Sequence, residues 1–97
     1  MAGQEFTTTF SMDFRIAEHF GAGAIRSTFT RAFREWRSDY RYLTDLVLFL
    51  NRRLAEHYMA GREALASLYD SMWSEADGWA VEHLQGEELR YFQSMTD

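Results

Sequence analysis

Apolar residues recur at steps of three and four along most of this chain, the period of an amphipathic helix rather than a strand. Phe10, Phe14 and Ala17 open the pattern. Ile25, Phe29, Ala32 or Phe33, and Trp36 continue it. Leu43, Val47, Leu50 and Leu54 follow, with a second row of Tyr42, Leu46 and Phe49 beside them. Leu65, Tyr69, Met72, Ala76, Trp79 and His83 form the last long stripe, widened by Leu68, Trp73 and Ala80. The double row in the third stretch predicts burial on more than one side, and so a central helix.

The punctuation between the stripes agrees. Ser11 is a good N-cap, with Asp13 in the first turn, for a helix that stops at Phe20-Gly21. A second helix follows Gly21-Ala22-Gly23 and runs to about Arg37. Ser38-Asp39 offers a cap for a third, Tyr40 to Met59. Ala60-Gly61 breaks the pattern before a fourth, Arg62 to Leu84, and Gly86 ends that one ahead of a short fifth that begins with Glu87-Glu88-Leu-Arg-Tyr-Phe-Gln. Residues 1–10, with Thr7, Thr8 and Thr9 between Phe6 and Phe10, read as an extended arm. Linkers of two to four residues make consecutive helices antiparallel neighbours. The predicted fold is all-α: a bundle of about four helices, a short fifth C-terminal helix and an N-terminal arm, with residues 11–97 as one domain.

Composition narrows this picture. With 97 residues, 46% of them hydrophobic and 26% charged, the chain is neither disordered nor of low complexity. It has no Cys, so neither disulfides nor thiolate chemistry are available, and no Pro interrupts a helix. The longest apolar run, Leu46 to Leu50, is far below the ~20 residues of a membrane span. MAGQEFTTTF lacks the basic and apolar regions of a signal peptide. The expectation is a cytoplasmic protein that does not enter membranes.

Charge is unevenly placed. Residues 1–25 carry net −2; residues 26–53 hold seven Arg against Glu35, Asp39 and Asp45, net +4; residues 54–97 hold Arg62 and Arg90 against nine acids, net −7. A basic second quarter beside an acidic C-terminal half follows, in one chain or between two. All ten basic residues are Arg. GC-rich coding produces that bias as readily as Arg-specific recognition does. Arg31, Glu35 and Asp39 are spaced as i, i+4 partners on an exposed face. A nucleic-acid-associated regulator would use Arg26, Arg31, Arg34, Arg37 and Arg41, although a pI near 5.1 argues against a dedicated binder.

Catalytic motifs are missing. No GxSxG, Walker loop, GxGxxG or HExxH occurs. Three Glu-His dipeptides, Glu18-His19, Glu56-His57 and Glu82-His83, invite a metal or acid–base reading. Neighbours on a helix point about 100° apart, which makes a dipeptide a poor chelate. Histidine in the last helical turn, favoured by the dipole, explains all three. Residues 15–23, RIAEHFGAG, and 53–61, RLAEHYMAG, share six of nine positions. A duplicated hairpin would leave such an echo; two helix ends built by the same rules would leave it too.

The stretches TTTFSMDFRIAEHFG, RAFREWRSDYRYLTDLVLFLNRRLAEHY and GEELRYFQSMTD resemble a family of short proteins of unknown function from gut-associated anaerobic bacteria and their mobile elements. The resemblance implies a cytoplasmic accessory protein without known catalysis and supplies no site residues. Sixteen aromatic residues overfill a small core, which places some of them at an interface. The reading is therefore a non-enzymatic helical protein without cofactor or metal. It would self-associate, as a dimer by preference, and bind another macromolecule. Its candidate interface residues are Phe6, Phe10, Tyr40, Tyr42, Tyr91 and Phe92.

Overall fold

Helices α1 (Ala2–Phe20), α2 (Ala22–Trp36), α3 (Tyr40–Met59), α4 (Glu63–His83) and α5 (Gly86–Thr96) make up the computed structural model. It describes the backbone of residues 2–96 and the side chains of residues 11–96. The all-α class and the short C-terminal helix match the sequence pattern. One boundary does not. The expected extended arm over residues 1–10 is replaced by α1, which runs from Ala2 through Ser11 to Phe20. A lone strand would leave its backbone groups unpaired, whereas β-branched threonines cost a helix little and nothing between Gln4 and Phe20 breaks one.

The joints are short because glycine makes them so. Gly21 is the single residue between α1 and α2: its amide bonds to Ala17 O at 3.1 Å and its carbonyl accepts from Ile25 N at 3.2 Å. It serves both helices at φ +109°, a conformation that side chains resist. At the end of α3 the amide of Arg62 reaches His57 O at 2.9 Å and that of Gly61 reaches Tyr58 O at 3.1 Å. With Gly61 at φ +77° this is a Schellman motif. Asp39 caps α3 as expected, its side chain accepting from Arg41 N at 2.9 Å.

The stripes converge on one core. Phe14 and Ala17 of α1 and Ile25, Phe29, Ala32 and Phe33 of α2 are buried in it. So are Leu43, Leu46, Val47, Phe49 and Leu50 of α3, Tyr69, Met72, Ala76 and Ala80 of α4, and Phe92 of α5. Both predicted rows of α3 are represented, as a central helix requires. His83 is the exception in the α4 stripe: it is exposed, stacked on Trp79 with centroids 4.2 Å apart.

Most rings fit inside after all. Phe14, Phe29, Phe33, Phe49, Tyr69 and Phe92 are buried. Trp36, Tyr40, Tyr42, Trp73, Trp79 and Tyr91 are half-buried. Rings meet edge to face across helix junctions: Trp36 with Tyr42 at 5.1 Å, Tyr40 with Tyr91 at 5.2 Å, Phe33 with Trp79 at 5.8 Å. Among the described side chains only Phe20 and Tyr58 are exposed aromatics. No helix among the described residues is long and apolar enough to cross a membrane.

Candidate functional site

Helices α1 and α3 lie one hairpin apart and run parallel, so their C-terminal ends meet at one end of the bundle. The two echoed segments are those ends. Glu18 of α1 therefore faces Arg53 and His57 of α3, and Tyr69 of α4 completes the group.

Glu18 gathers four donors' worth of bonds. Arg53 Nη2 donates to Oε1 at 2.6 Å and to Oε2 at 2.8 Å, and Arg53 Nε to Oε2 at 3.2 Å. The Tyr69 hydroxyl donates to Oε2 at 2.6 Å, and His57 Nε2 lies 3.2 Å from the same oxygen. Arg53 Nη1 bonds Glu56 at 2.5 Å. The far nitrogen of His57, Nδ1, accepts from Arg62 Nε at 2.9 Å. That acceptor role assigns the ring proton to Nε2, where it donates to Glu18. Arg62 thus binds His57 twice, by its backbone amide through the Schellman turn and by its guanidinium. The glycine turn is what folds Arg62 back far enough to do so.

The electrostatics follow the geometry. Burial pushes the Glu18 carboxyl up, but hydrogen bonds from Arg53, Tyr69 and His57, with the Arg53 charge, outweigh it and hold the group below its usual value. Burial, then the Glu18 bond and charge, push the Tyr69 phenol well above its ordinary range. Burial alone would lower Arg53, yet bonds to Glu18 and Glu56 raise it. Each buried polar group here is engaged with another. The network leaves no free base beside a free nucleophile, and it joins α1, α3 and α4 at one end.

Above it lies an open depression of about 470 Å³ lined by Arg15, Glu18, His19, Arg53, His57, Arg62 and Leu65. Large apolar side chains stand exposed around the same end. Phe20 is 78% exposed, Tyr58 74% and Met59 87%, and along α1 Met12 and Ile16 are 60% and 55% exposed. Residues 12, 16 and 20 are four apart and share a helix face.

The predicted site residues scatter by comparison. Phe92 is buried in the core at 1% exposure and offers nothing to a partner from there. Tyr40, Tyr42 and Tyr91 are half-buried against rings of their own chain. The side chains of Phe6 and Phe10 lie outside the described residues. Of the five arginines, Arg26, Arg31 and Arg34 line one open groove of about 760 Å³ along α2. Arg37 instead sits over Phe33 and Trp79, at 5.4 and 5.6 Å from their ring centres, and Arg41 pairs with Asp39 at 3.4 Å. Arg31 pairs with Asp13 of α1 at 3.6 Å rather than along α2 with Glu35, and Arg26 reaches Glu75 of α4 at 3.0 Å. That last pair joins the basic segment to the acidic one across two helices.

Of the three Glu-His dipeptides, Glu18 and His57 come together across helices and His19 lines the depression beside them, while Glu82 and His83 are exposed near the end of α4. Among the described residues no three His or carboxylate side chains gather to hold a metal ion. The echo was the available signal for this network: in an alternating bundle, like ends of the first and third helices lie side by side. No protein-family model matches the chain, and no curated protein or solved structure matches it significantly.

Proposed function

We propose that this chain is a cytoplasmic, non-enzymatic interaction protein that self-associates through the outward face of α1. The observation that carries the reading is the exposed row Met12, Ile16 and Phe20, with Tyr58 and Met59 at the same end of the bundle. Isolated apolar side chains on a surface need no explanation, but a row at helical spacing marks a contact face. A two-fold dimer lays such a face against its own copy, which requires no complementary partner surface. The interface therefore differs from the candidates read from the sequence: it uses side chains that the core leaves out. The closed polar network supports a non-enzymatic role, since its acid, imidazole and phenol are committed to one another. Light scattering after size exclusion tests the reading. The native chain is expected to run as a dimer, and Ile16→Glu with Phe20→Ser as a monomer of unchanged helicity. A native chain that stays monomeric as its concentration is raised would overturn it.

A second reading, contact with nucleic-acid phosphates through α2, draws on the groove shared by Arg26, Arg31 and Arg34. Glu75 and Asp13 already compensate the first two. Phosphate binding by this face would weaken steeply with salt, and oligonucleotide affinity independent of salt would dismiss it.

A further inference from the structure

We propose that the depression between the C-terminal ends of α1 and α3 and the start of α4 binds a phosphate group, free or as a monoester. Three guanidiniums, Arg15, Arg53 and Arg62, line it against one carboxylate, Glu18, in a chain whose net charge is −5. Arg53 is spent on Glu18 and Glu56. The other two cations are not. Arg15 makes no ion pair among the described residues, and Arg62 uses only its Nε, on His57, which leaves both Nη groups available.

The site is held in place before any ligand arrives. Arg62 is anchored at its amide and at Nε to a residue that is itself 1% exposed, so its planar fork stands at the rim rather than sweeping through solvent. Arg15 and His19 are one helical turn apart on α1 and add a second guanidinium and an imidazole from the opposite wall. Glu18 belongs to the floor, where Arg53, His57 and Tyr69 saturate it, and its charge is offset by Arg53. The start of α4, which follows Arg62 directly, has no side-chain cap of its own.

Two guanidinium forks from different walls suit an anion with three or four acceptor oxygens. A carboxylate, with two, serves one fork. Leu65 supplies an apolar wall against which the organic part of a monoester can rest. The α2 groove is the natural control, because Arg26 and Arg31 are already paired there and only Arg34 is free of an ion pair among the described residues.

The test is a titration with inorganic phosphate, followed by amide and Arg side-chain NMR shifts at constant pH and with ionic strength held by chloride. Saturable shifts confined to Arg15, Glu18, His19, Arg62 and Leu65 are expected. Arg15→Gln and Arg62→Gln should each weaken binding about tenfold, as loss of a charge-assisted pair does. Arg34→Gln should leave binding unchanged. If Arg62→Gln disturbs the fold by releasing His57, Arg15→Gln decides alone, since Arg15 makes no ion pair among the described residues. Phenyl phosphate in a parallel titration separates the sources: tighter binding than inorganic phosphate indicates a monoester, equal binding the free ion. Shifts that do not saturate, or an Arg34→Gln variant that loses as much affinity as Arg15→Gln, would overturn the proposal.

Discussion

Replacing Glu18 by Ala tests the network most directly, because that one carboxylate holds three helices. Three losses follow. The Tyr69 hydroxyl, in a residue with no exposure, is left without its acceptor, and a buried unpaired group of this kind costs about 1–3 kcal/mol. His57 Nε2 loses its acceptor as well, for about 1 kcal/mol. Arg53 keeps only Glu56. A fully buried broken pair costs about 3–5 kcal/mol, but the Arg53 and Glu18 side chains retain 12% and 16% exposure and Glu56 remains, so about 1 kcal/mol is a fair share. The total is about 3–5 kcal/mol, a large part of the roughly 5–15 kcal/mol of a domain this size. Tyr69→Phe removes only the hydroxyl and leaves Glu18 with Arg53 and His57, at about 1 kcal/mol. Urea unfolding followed by circular dichroism gives both values. Because the two residues share a bond, the double variant should cost at least about 1 kcal/mol less than the sum of the singles. Additive losses, or a Glu18→Ala cost below about 1 kcal/mol, would show that the carboxylate is not the organising group.

Other expectations follow from single groups. Glu18 is held below the ordinary carboxylate value of 4.5, so its contribution is complete above that pH and drains away as pH falls through the depressed folded value. Acid unfolding should therefore be steeper for the native chain than for Glu18→Gln, and parallel acid curves would contradict this. Asp45 has the opposite sign: burial first, then the charge of Asp39, raise it. Asp45→Asn should stabilise the chain at neutral pH, with the gain vanishing below the ordinary value of 3.8. Gly78 lies inside α4 with nothing within 4 Å of an added Cβ, so Gly78→Ala should raise stability by about 0.5–1 kcal/mol. Gly21→Ala should instead destabilise, for its positive φ alone. Equal melting shifts for the two glycine variants would refute both assignments.

Helix identity was legible in the sequence wherever one apolar stripe dominated, as over 25–36 and 43–54, because burial selects one face at one period. Helix ends were legible where glycine or Asp39 marks them. The start of α1 was not: Ser11 carries a good capping side chain, but a cap only favours an end and cannot stop a helix that continues upstream at little cost. Nor could periodicity sort the apolar residues of α1 into core and surface. Phe14 and Ala17 face in while Met12, Ile16 and Phe20 face out, and both sets have helical spacing. The choice between them is made by what α2 and α3 cover. The Glu18 network lay beyond reading residue by residue, since Glu-His dipeptides are poor partners within one helix. It becomes visible only when the parallel course of α1 and α3 is combined with their matching ends.

The separation along the chain between the partners in that network sets its place in time. Glu18 lies 35, 39 and 51 positions from Arg53, His57 and Tyr69. Neighbouring helices can pair early, through nearby contacts that form fast. The carboxylate meets its partners only after much longer loops have closed. Bonds formed after the rate-limiting barrier leave the speed of folding nearly untouched and act on escape from the native state. The polar group at the bundle end is therefore expected to govern the lifetime of the folded chain more than the rate at which it is reached, and Glu18→Ala should speed unfolding more than it slows folding in stopped-flow measurements.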